Sequence, residues 1–425
     1  MRRYLRPIKL IALAALGIVG VSLIWLAMAD AAADTKLEQA IAKLKEQGQP
    51  TSLADLARKP VPPDENAATY LRRAAAELAA IETIVEAAID ELDESQRTVY
   101  YATMEAPESL QQVLQRVFVE HDDAIELLDE AAAQDAFDPQ LDYDQSPTAF
   151  LEDYLPTMQQ VRRPLRVLNY RVAMLLTDGK REEALDTCLT MFKLCRHFDE
   201  RPLMVAHLVS IAVRGVAVAA TNQVLRSGPL PAAAHDRLET ELARQDLDAA
   251  YMHTLSTERA YGIDTFGDLD AQVRFLGVAA NKADLQDYIN LFKGLIARAD
   301  QPNPEVIEWI DSQQTGALTG LLLPATKALL SAKARMTAKL GSLRILNAIA
   351  RRNLMPGDET PALSELGLPV EVLVDPYNGK EMLVRGDVVD ATVYAVGSNL
   401  KDDGGRVNEM DDGEFLDVGL GPRND

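Results

Sequence analysis

Residues 203–225, LMVAHLVSIAVRGVAVAATNQVL, decide the fold of this chain. Apolar side chains occupy nearly every side of the helix that this pattern predicts, which is typical of a helix in the core. Its uninterrupted apolar core, Val216 to Ala220, is far shorter than the roughly 20 residues that cross a bilayer. The stretch therefore predicts the central helix of a soluble helical domain. A buried Arg214 would then need a carboxylate partner or a route to solvent.

A helical hairpin is predicted just before this stretch, from Arg162 to His197. Apolar residues recur at helical spacing on both sides of an Asp178-Gly179 turn. Cys188 and Cys195 share one face of the second helix but lie about 10 Å apart along its axis, which is too far for a disulfide. We expect both to be free core residues.

The chain is acidic and rich in aliphatic residues. It holds 65 acidic against 43 basic residues, and its formal net charge is −22. That charge disfavours binding to nucleic acid and to anionic lipid. Hydrophobic residues make up 48% of the chain but aromatic ones only 5%, and alanine and leucine favour helix over strand. The predicted fold class is therefore mainly α.

Most of the negative charge lies between Asp64 and Asp153, where 23 acidic residues stand against four arginines. From Asp64 to Ala133 the apolar spacing predicts two or three long helices. A basic cluster follows, which is either a docking patch for an acidic partner or, as we favour, the counter-charge for this segment within the chain. The cluster consists of Arg162, Arg163, Arg166 and Arg171.

The stretch from Leu10 to Ala29, LIALAALGIVGVSLIWLAMA, is uncharged and twenty residues long. A helix of that length spans the roughly 30 Å hydrocarbon core of a bilayer. Four basic residues among positions 2–9 predict a cytoplasmic N-terminus. We expect a single-pass anchor in the bacterial cytoplasmic membrane, with the bulk of the chain outside the cytoplasm. The alternative is a signal peptide, cleaved after Ala29 or Ala33, and a secreted protein.

Five segments follow from these features. A helix from Ala325 to Arg352 is expected to open the last of them, and a small β-hairpin region follows it. The segments are a basic cytoplasmic N-terminus (1–9), the transmembrane helix (10–29), a stalk with a proline-rich linker (30–63), a helical domain of hairpins or a bundle (64–324), and the long helix with its α+β region (325–425).

No motif of a catalytic site stands out. The five histidines show no HExxH spacing, and the GxSxG, GxxxxGK and GxGxxG patterns are missing from the sequence. We predict no enzymatic activity, with an envelope hydrolase of dispersed residues as an alternative. On one helix His253 and Arg259 would face different ways and form no joint site. The densest cluster of reactive side chains is His253, Glu258, Arg259, Tyr261 and Asp264.

The C-terminal segment carries the most specific pattern. Residues 375–380, DPYNGK, predict a tight turn, because Asn-Gly tolerates left-handed backbone. Strands are expected from Lys380 to Val384 and from Ala391 to Val396. The loop after Gly397 is rich in side-chain oxygens, and it is either a solvated acidic loop or a calcium site.

From the helix at 332–352 onward, about the last 90 of the 425 residues resemble the C-terminal domain of the major pseudopilin of type II secretion systems. The matching features are a long helix, the DPYNG turn, short strands and a YAVGSN loop that closes at an Asp-Asp pair. The resemblance implies a calcium-stabilised loop. Position by position, it makes Asn399, Asp403, Asp411 and Asp412 the side-chain ligands. The anchor lacks the pseudopilin peptidase site, so the resemblance does not extend to filament assembly.

The rest of the chain resembles a family of membrane-anchored bacterial helical proteins to which no activity is attached. Together these features predict a protein-interaction or scaffold module of the cell envelope, with another envelope protein as its partner. An accessory of type II secretion is the alternative that the C-terminal resemblance implies. The hydrolase alternative requires a pocket in which His207 or His253 meets carboxylates.

Overall fold

The computed structural model describes most of the chain. It covers residues 35–274, 282–355, 358–388, 390–407, 409–411 and 414–422, with the backbone alone at 159, 268–274, 317–318, 411 and 414. The predicted anchor, Leu10–Ala29, lies outside these residues.

The described chain is mainly helical, as the sequence predicts. Residues 35–46 are helical and precede the linker. The helices after it are α1 (Ala67–Asp90), α2 (Glu94–Thr103), α3 (Glu108–Glu120), α4 (Asp122–Ala133), α5 (Pro147–Tyr154), α6 (Met158–Thr177), α7 (Arg181–Asp199), α8 (Met204–Arg226), α9 (Ala232–Leu242), α10 (Leu247–Arg274), α11 (Lys282–Ile296), α12 (Asn303–Asp311) and α13 (Ala317–Ala350).

The acidic segment folds into four helices, α1 to α4, so the prediction of two or three was wrong. A capping box starts α2, because Asp93 accepts the backbone N–H of Gln96 and the Gln96 side chain accepts that of Asp93. Met104 ends this helix with a left-handed φ of 61°. His121 separates α3 from α4. These breaks between helices are only one or a few residues long. The spacing of apolar residues does not reveal them, because it is read over longer stretches of sequence.

The predicted hairpin is confirmed as α6 and α7, which pack against each other across the turn at 178–180. The first helix begins at Met158 and holds Pro164 in its interior. Cys188 and Cys195 are both free and buried on α7, as expected. Burial raises the pKa of each thiol to about 12, so both stay protonated at neutral pH.

α8 is the central helix that residues 203–225 predict. It packs against α6, α7, α10 and α13. Among the helices of the described ranges it alone is long and apolar enough to cross a membrane. Yet 67% of its most apolar stretch of 18 residues is buried inside the protein. Burial of that extent is what a core helix requires.

Arg214 has the carboxylate partner that the sequence requires. Its side chain is fully buried, and Nη2 lies 2.5 Å from Oδ2 of Asp199 at the end of α7. Its Nε donates to Oε1 of Gln245 at 3.1 Å. Ser210 Oγ also donates to Asp199, at 2.6 Å. The buried charge is thus paired and hydrogen-bonded, which is how proteins tolerate one.

The long helix α13 begins at Ala317 rather than at Ala325, and Pro324 lies inside it. A proline usually marks a helix boundary, and a proline within a continuous helix is the exception. The helix continues here because α13 packs against α8, α9, α11 and α12, which outweighs one missing backbone donor. It therefore crosses the boundary predicted between residues 324 and 325.

Short strands near the C-terminus form two antiparallel sheets. The larger has the order β1-β2-β5, with Tyr394 opposite Leu383 on one side and Gly419 on the other, and β3 pairs with β4. The sequence predicted the first two strands and missed the other three. The strands are β1 (Leu383–Arg385), β2 (Thr392–Ala395), β3 (Met410–Asp411), β4 (Glu414–Phe415) and β5 (Val418–Leu420).

The Asn-Gly turn is present, but it does not join two strands of the sheet. Gly379 has a φ of 70°, and the turn closes a single bridge between Val374 and Glu381. The connection between β1 and β2 is residues 386–391 instead.

The larger sheet shares the main hydrophobic core with the helices. Val393 and Leu420 belong to the same buried cluster as Leu343 of α13. Ser342 Oγ donates to the carbonyl oxygen of Val393 at 2.8 Å. A smaller second core lies mainly among α10, α11 and α12. The C-terminal sheet is therefore part of one packed body.

Candidate functional site

The predicted calcium loop brings two of its four predicted ligands together. Asn399 Nδ2 donates to Oδ2 of Asp403 at 2.7 Å. Asp412 lies outside the described residues, and of Asp411 only the backbone is described. Oxygen donors of this kind suit calcium. Within the described ranges no group of three or more His, Cys, Asp or Glu residues could hold a metal. Calcium therefore stays a prediction for this loop.

Asp417 orders the backbone of the same loop. Its fully buried carboxylate accepts the N–H groups of Asp403 at 3.2 Å, Gly405 at 2.8 Å and Arg406 at 3.1 Å. Gly405 has a φ of 79°, which a residue with a Cβ rarely adopts. In the sequence Asp417 is one acidic residue of the loop among several, and only the fold gives it this role.

The cluster of reactive side chains on α10 does not converge. His253 Nε2 contacts the carbonyl oxygen of Glu200 at 3.1 Å, whereas Arg259 Nη2 donates to Oε1 of Gln49 at 2.5 Å. His253 and Arg259 therefore do not share a site, as predicted.

The other members of that cluster also bond elsewhere. The Tyr261 hydroxyl donates to the carbonyl oxygen of Pro147 at 3.2 Å. Asp264 Oδ2 accepts the N–H of Leu53 at 2.6 Å. Both contacts attach α10 to neighbouring segments, so they are structural.

Glu258 caps the first turn of α8. Its Oε2 accepts the N–H of Met204 at 2.8 Å, and Thr257 Oγ1 accepts that of Leu203 at 3.1 Å. Leu203 has φ 75° and ψ 149°, a conformation that normally belongs to glycine. Burial raises the pKa of Glu258 to about 7. No pattern in the sequence links these residues, because α8 and α10 meet only in the fold.

No histidine meets a carboxylate in the core that the structure describes. Neither ring nitrogen of buried His207 has a partner among the described residues, and burial lowers the pKa of this imidazole to about 4. His197 Nε2 contacts the carbonyl oxygen of Ala131 at 3.2 Å. The one histidine–carboxylate contact in the described part of the chain joins His121 Nδ1 to Glu77 Oε2 at 3.6 Å, near the surface.

Three arginines of the basic cluster neutralise the acidic segment, as we favoured from the sequence. Arg163 Nε lies 2.8 Å from Oε2 of Glu82, and Arg166 pairs with the same carboxylate. Arg171 Nη1 lies 4.0 Å from Oδ2 of Asp129. The acidic partners all come from α1 and α4, so the cluster attaches the hairpin to that segment.

The fourth arginine, Arg162, is exposed, and no described carboxylate forms an ion pair with it. It lies at the rim of a cavity of about 640 Å³ between α1, α2, α6 and α8, which we call the interhelical groove. The groove is lined by Glu86, Ile89, Asp90, Tyr101, Arg162, Leu165, Arg166, Asn169, Tyr170, Ala212, Val213 and Val216.

The interhelical groove combines apolar walls with a charged rim. Val213 and Val216 of α8 line it, and Ala212 beside them is exposed. The central helix is therefore open to solvent at this place. Tyr101 leaves 56% of its surface exposed at the edge. Together with the apolar walls it forms one continuous apolar patch with a charged rim, and patches of this kind mark surfaces that bind a partner.

Comparison of the chain with protein-family models, with curated proteins and with solved structures found no match. The likeness of the C-terminal region to a pseudopilin therefore stays a resemblance of sequence.

Proposed function

We propose that this chain is a single-pass protein of the bacterial cell envelope whose helical body binds another envelope protein. The stretch Leu10–Ala29 is its tether, and the body lies outside the cytoplasm. The observation that carries the proposal is the interhelical groove, with its apolar walls and with Arg162, which pairs with no carboxylate of the described residues.

The chemistry of the groove indicates the kind of partner. Apolar walls with a charged rim suit an amphipathic helix, which presents one apolar face and places charges at the edges. Asp90 and Glu86 lie at the rim, but Arg166 already pairs with Glu86 at 3.0 Å. Of the two arginines that line the groove, Arg162 is the one without an ion pair among the described residues, so it fits an acidic residue on the partner helix.

Neither alternative has comparable support. The hydrolase alternative requires His207 or His253 beside carboxylates in a pocket. His253 contacts the backbone carbonyl oxygen of Glu200 instead, and neither ring nitrogen of His207 has a hydrogen-bond partner among the described residues. The secretion alternative rests on the resemblance of the C-terminal region.

Site-specific photo-crosslinking in cell membranes tests the proposal. A photoreactive amino acid at Ala212, inside the groove, is compared with one at Ala233, an exposed alanine on α9 outside it. We expect a discrete adduct from position 212 only. Arg162→Glu should reduce its yield several-fold, because a reversed rim charge repels an acidic partner. Equal labelling at both positions, or no adduct from position 212, contradicts a partner in the groove.

A further inference from the structure

Arg201 is a buried cation on the segment that follows α7. Only 3% of its surface is exposed, and no Asp or Glu of the described residues forms an ion pair with it. Its Nη2 donates to Oγ1 of Thr157, and its guanidinium lies 5.1 Å from the ring centroid of Tyr154. Its Nε is buried and has no hydrogen-bond partner among the described residues. Arginine is rarely buried to this extent unless it is paired.

The C-terminal end of α7 explains part of this arrangement. Arg201 lies two residues beyond Asp199, the last residue of that helix. The negative end of a helix dipole favours a nearby cation. That effect leaves the Nε–H without an acceptor among the described residues, so one donor of the buried guanidinium is unsatisfied.

Arg201 lines a cavity of about 450 Å³ bounded by α1, the first turns of α6, the end of α7 and the segment near Phe137. We call it the arginine cavity. Its walls are largely apolar, since Leu71, Leu78 and Phe198 line it. A volume of roughly 300–1,000 Å³ with few polar groups is typical of a pocket for a small molecule.

Every charged residue among the described side chains that line the arginine cavity is an arginine. They are Arg72, Arg163 and Arg201, in a chain whose net charge is −22. Arg163 already pairs with Glu82. Arg72 is exposed and has no ion-pair partner among the described residues. Two of the three cations are therefore available to a ligand, and both act on the same cavity.

We propose that the arginine cavity binds a small organic anion, namely a carboxylate carried on an apolar body. The carboxylate lies against the guanidinium of Arg201, whose planar fork matches two oxygens, and Arg72 adds charge at the mouth. The apolar body packs against Leu71, Leu78 and Phe198. This site is separate from the interhelical groove and does not depend on the proposed partner.

Calorimetric titration of the full chain in lipid nanodiscs tests the ligand class, with empty nanodiscs as the blank for partitioning. The probes are 4-phenylbutyrate, its uncharged amide 4-phenylbutyramide, and acetate. We expect 4-phenylbutyrate to bind at least tenfold more tightly than either of the others, because only it has both the charge and the apolar body. Equal affinity for the acid and the amide, or no binding of the acid, overturns the proposal.

Two substitutions on α1 locate the binding. Ala75 lines the arginine cavity, whereas Ala76 is exposed on the same helix and does not line it. Ala75→Trp should fill the cavity and lower the affinity for 4-phenylbutyrate at least tenfold, while Ala76→Trp leaves it unchanged. Equal effects of the two substitutions would place the binding elsewhere and overturn the proposal.

Arg201→Met tests the role of the guanidinium. We expect it to remove the preference for the acid over the amide while both still bind weakly to the apolar walls. A preference that survives in the folded variant contradicts the role of Arg201. If this variant does not fold, the pair Ala75→Trp and Ala76→Trp still decides whether the acid binds in the arginine cavity.

Discussion

The carboxyl group of Glu258 accepts the backbone N–H of Met204 while it is largely shielded from water. Burial raises its pKa from the usual 4.5 to about 7. In the unfolded chain the group loses its proton at lower pH than in the folded protein. Folding stability therefore falls as the pH rises from 4.5 through 7, and the loss is complete above 7.

Glu258→Gln should remove this dependence. The Gln amide oxygen can still accept the N–H of Met204, and it carries no charge at high pH. We expect the variant to gain on the order of 1–3 kcal/mol of unfolding free energy at pH 8 and almost nothing at pH 4.5. Urea unfolding of the variant and of the unmodified protein at pH 4.5 and at pH 8 measures this gain. Glu130→Gln, at an exposed position of α4, is the control and should show no such difference.

The pair of Arg214 and Asp199 contrasts with a surface pair of the same chemistry. Arg214→Met leaves Asp199 shielded and unpaired, so we expect a loss of about 3–5 kcal/mol. Arg237, whose side chain is 45% exposed, pairs with Glu182 and Asp186. Arg237→Met should cost about 0–1 kcal/mol. Thermal melts compare the two variants, and similar losses would contradict the central place given to α8.

At the scale of helices, α10 and α11 come close enough that one glycine is required. A Cβ on Gly262 would lie 2.0 Å from Oη of Tyr288, whereas a Cβ on Gly267 of the same helix would meet nothing within 4 Å. The approach at Gly262 lets Tyr288 donate to the carbonyl oxygen of Glu258 at 2.6 Å.

Gly262→Ala should therefore destabilise the chain by about 1–3 kcal/mol, because the helices must separate. Gly267→Ala should stabilise it by up to about 1 kcal/mol, because alanine is the better helix former. Differential scanning calorimetry shows whether each variant melts below or above the unmodified protein. If both variants melt above it, helix propensity outweighs packing at position 262.

The helices could be predicted where the apolar spacing is long and uninterrupted, as in α6, α7 and α8. The start of α13 could not, because Pro324 has a local preference that packing overrides. β5 could not either, since its three residues include Gly419 and pair with β2 only through the fold. The interhelical groove could not be predicted either. Arg162 stood out in the sequence as part of the basic cluster, but Tyr101 and Val216 come close to it only when distant helices pack together.

Across the whole molecule, the sheet, α13 and α8 share one core, so the C-terminal loop is attached to the main body. If calcium binds this loop, its effect should appear in the melting of the full chain. We expect millimolar calcium to raise the melting temperature relative to chelator, since the proposed location exposes the loop to such concentrations. Asp403→Asn should reduce the shift, and Asp358→Asn, outside the loop, should not. An unchanged midpoint with calcium rules out the predicted site.

Asn222, on the central helix, donates through Nδ2 to the carbonyl oxygen of Gly421, 199 residues later in the sequence, at 3.3 Å. During synthesis α8 emerges from the ribosome long before β5 and the residues that follow it have been made. The core around its apolar surface can therefore be completed only when β5 and the residues beside it are present. A chain built in this way completes its folding only after its last residues have been synthesised, and until then the apolar surface of α8 stays open to aggregation.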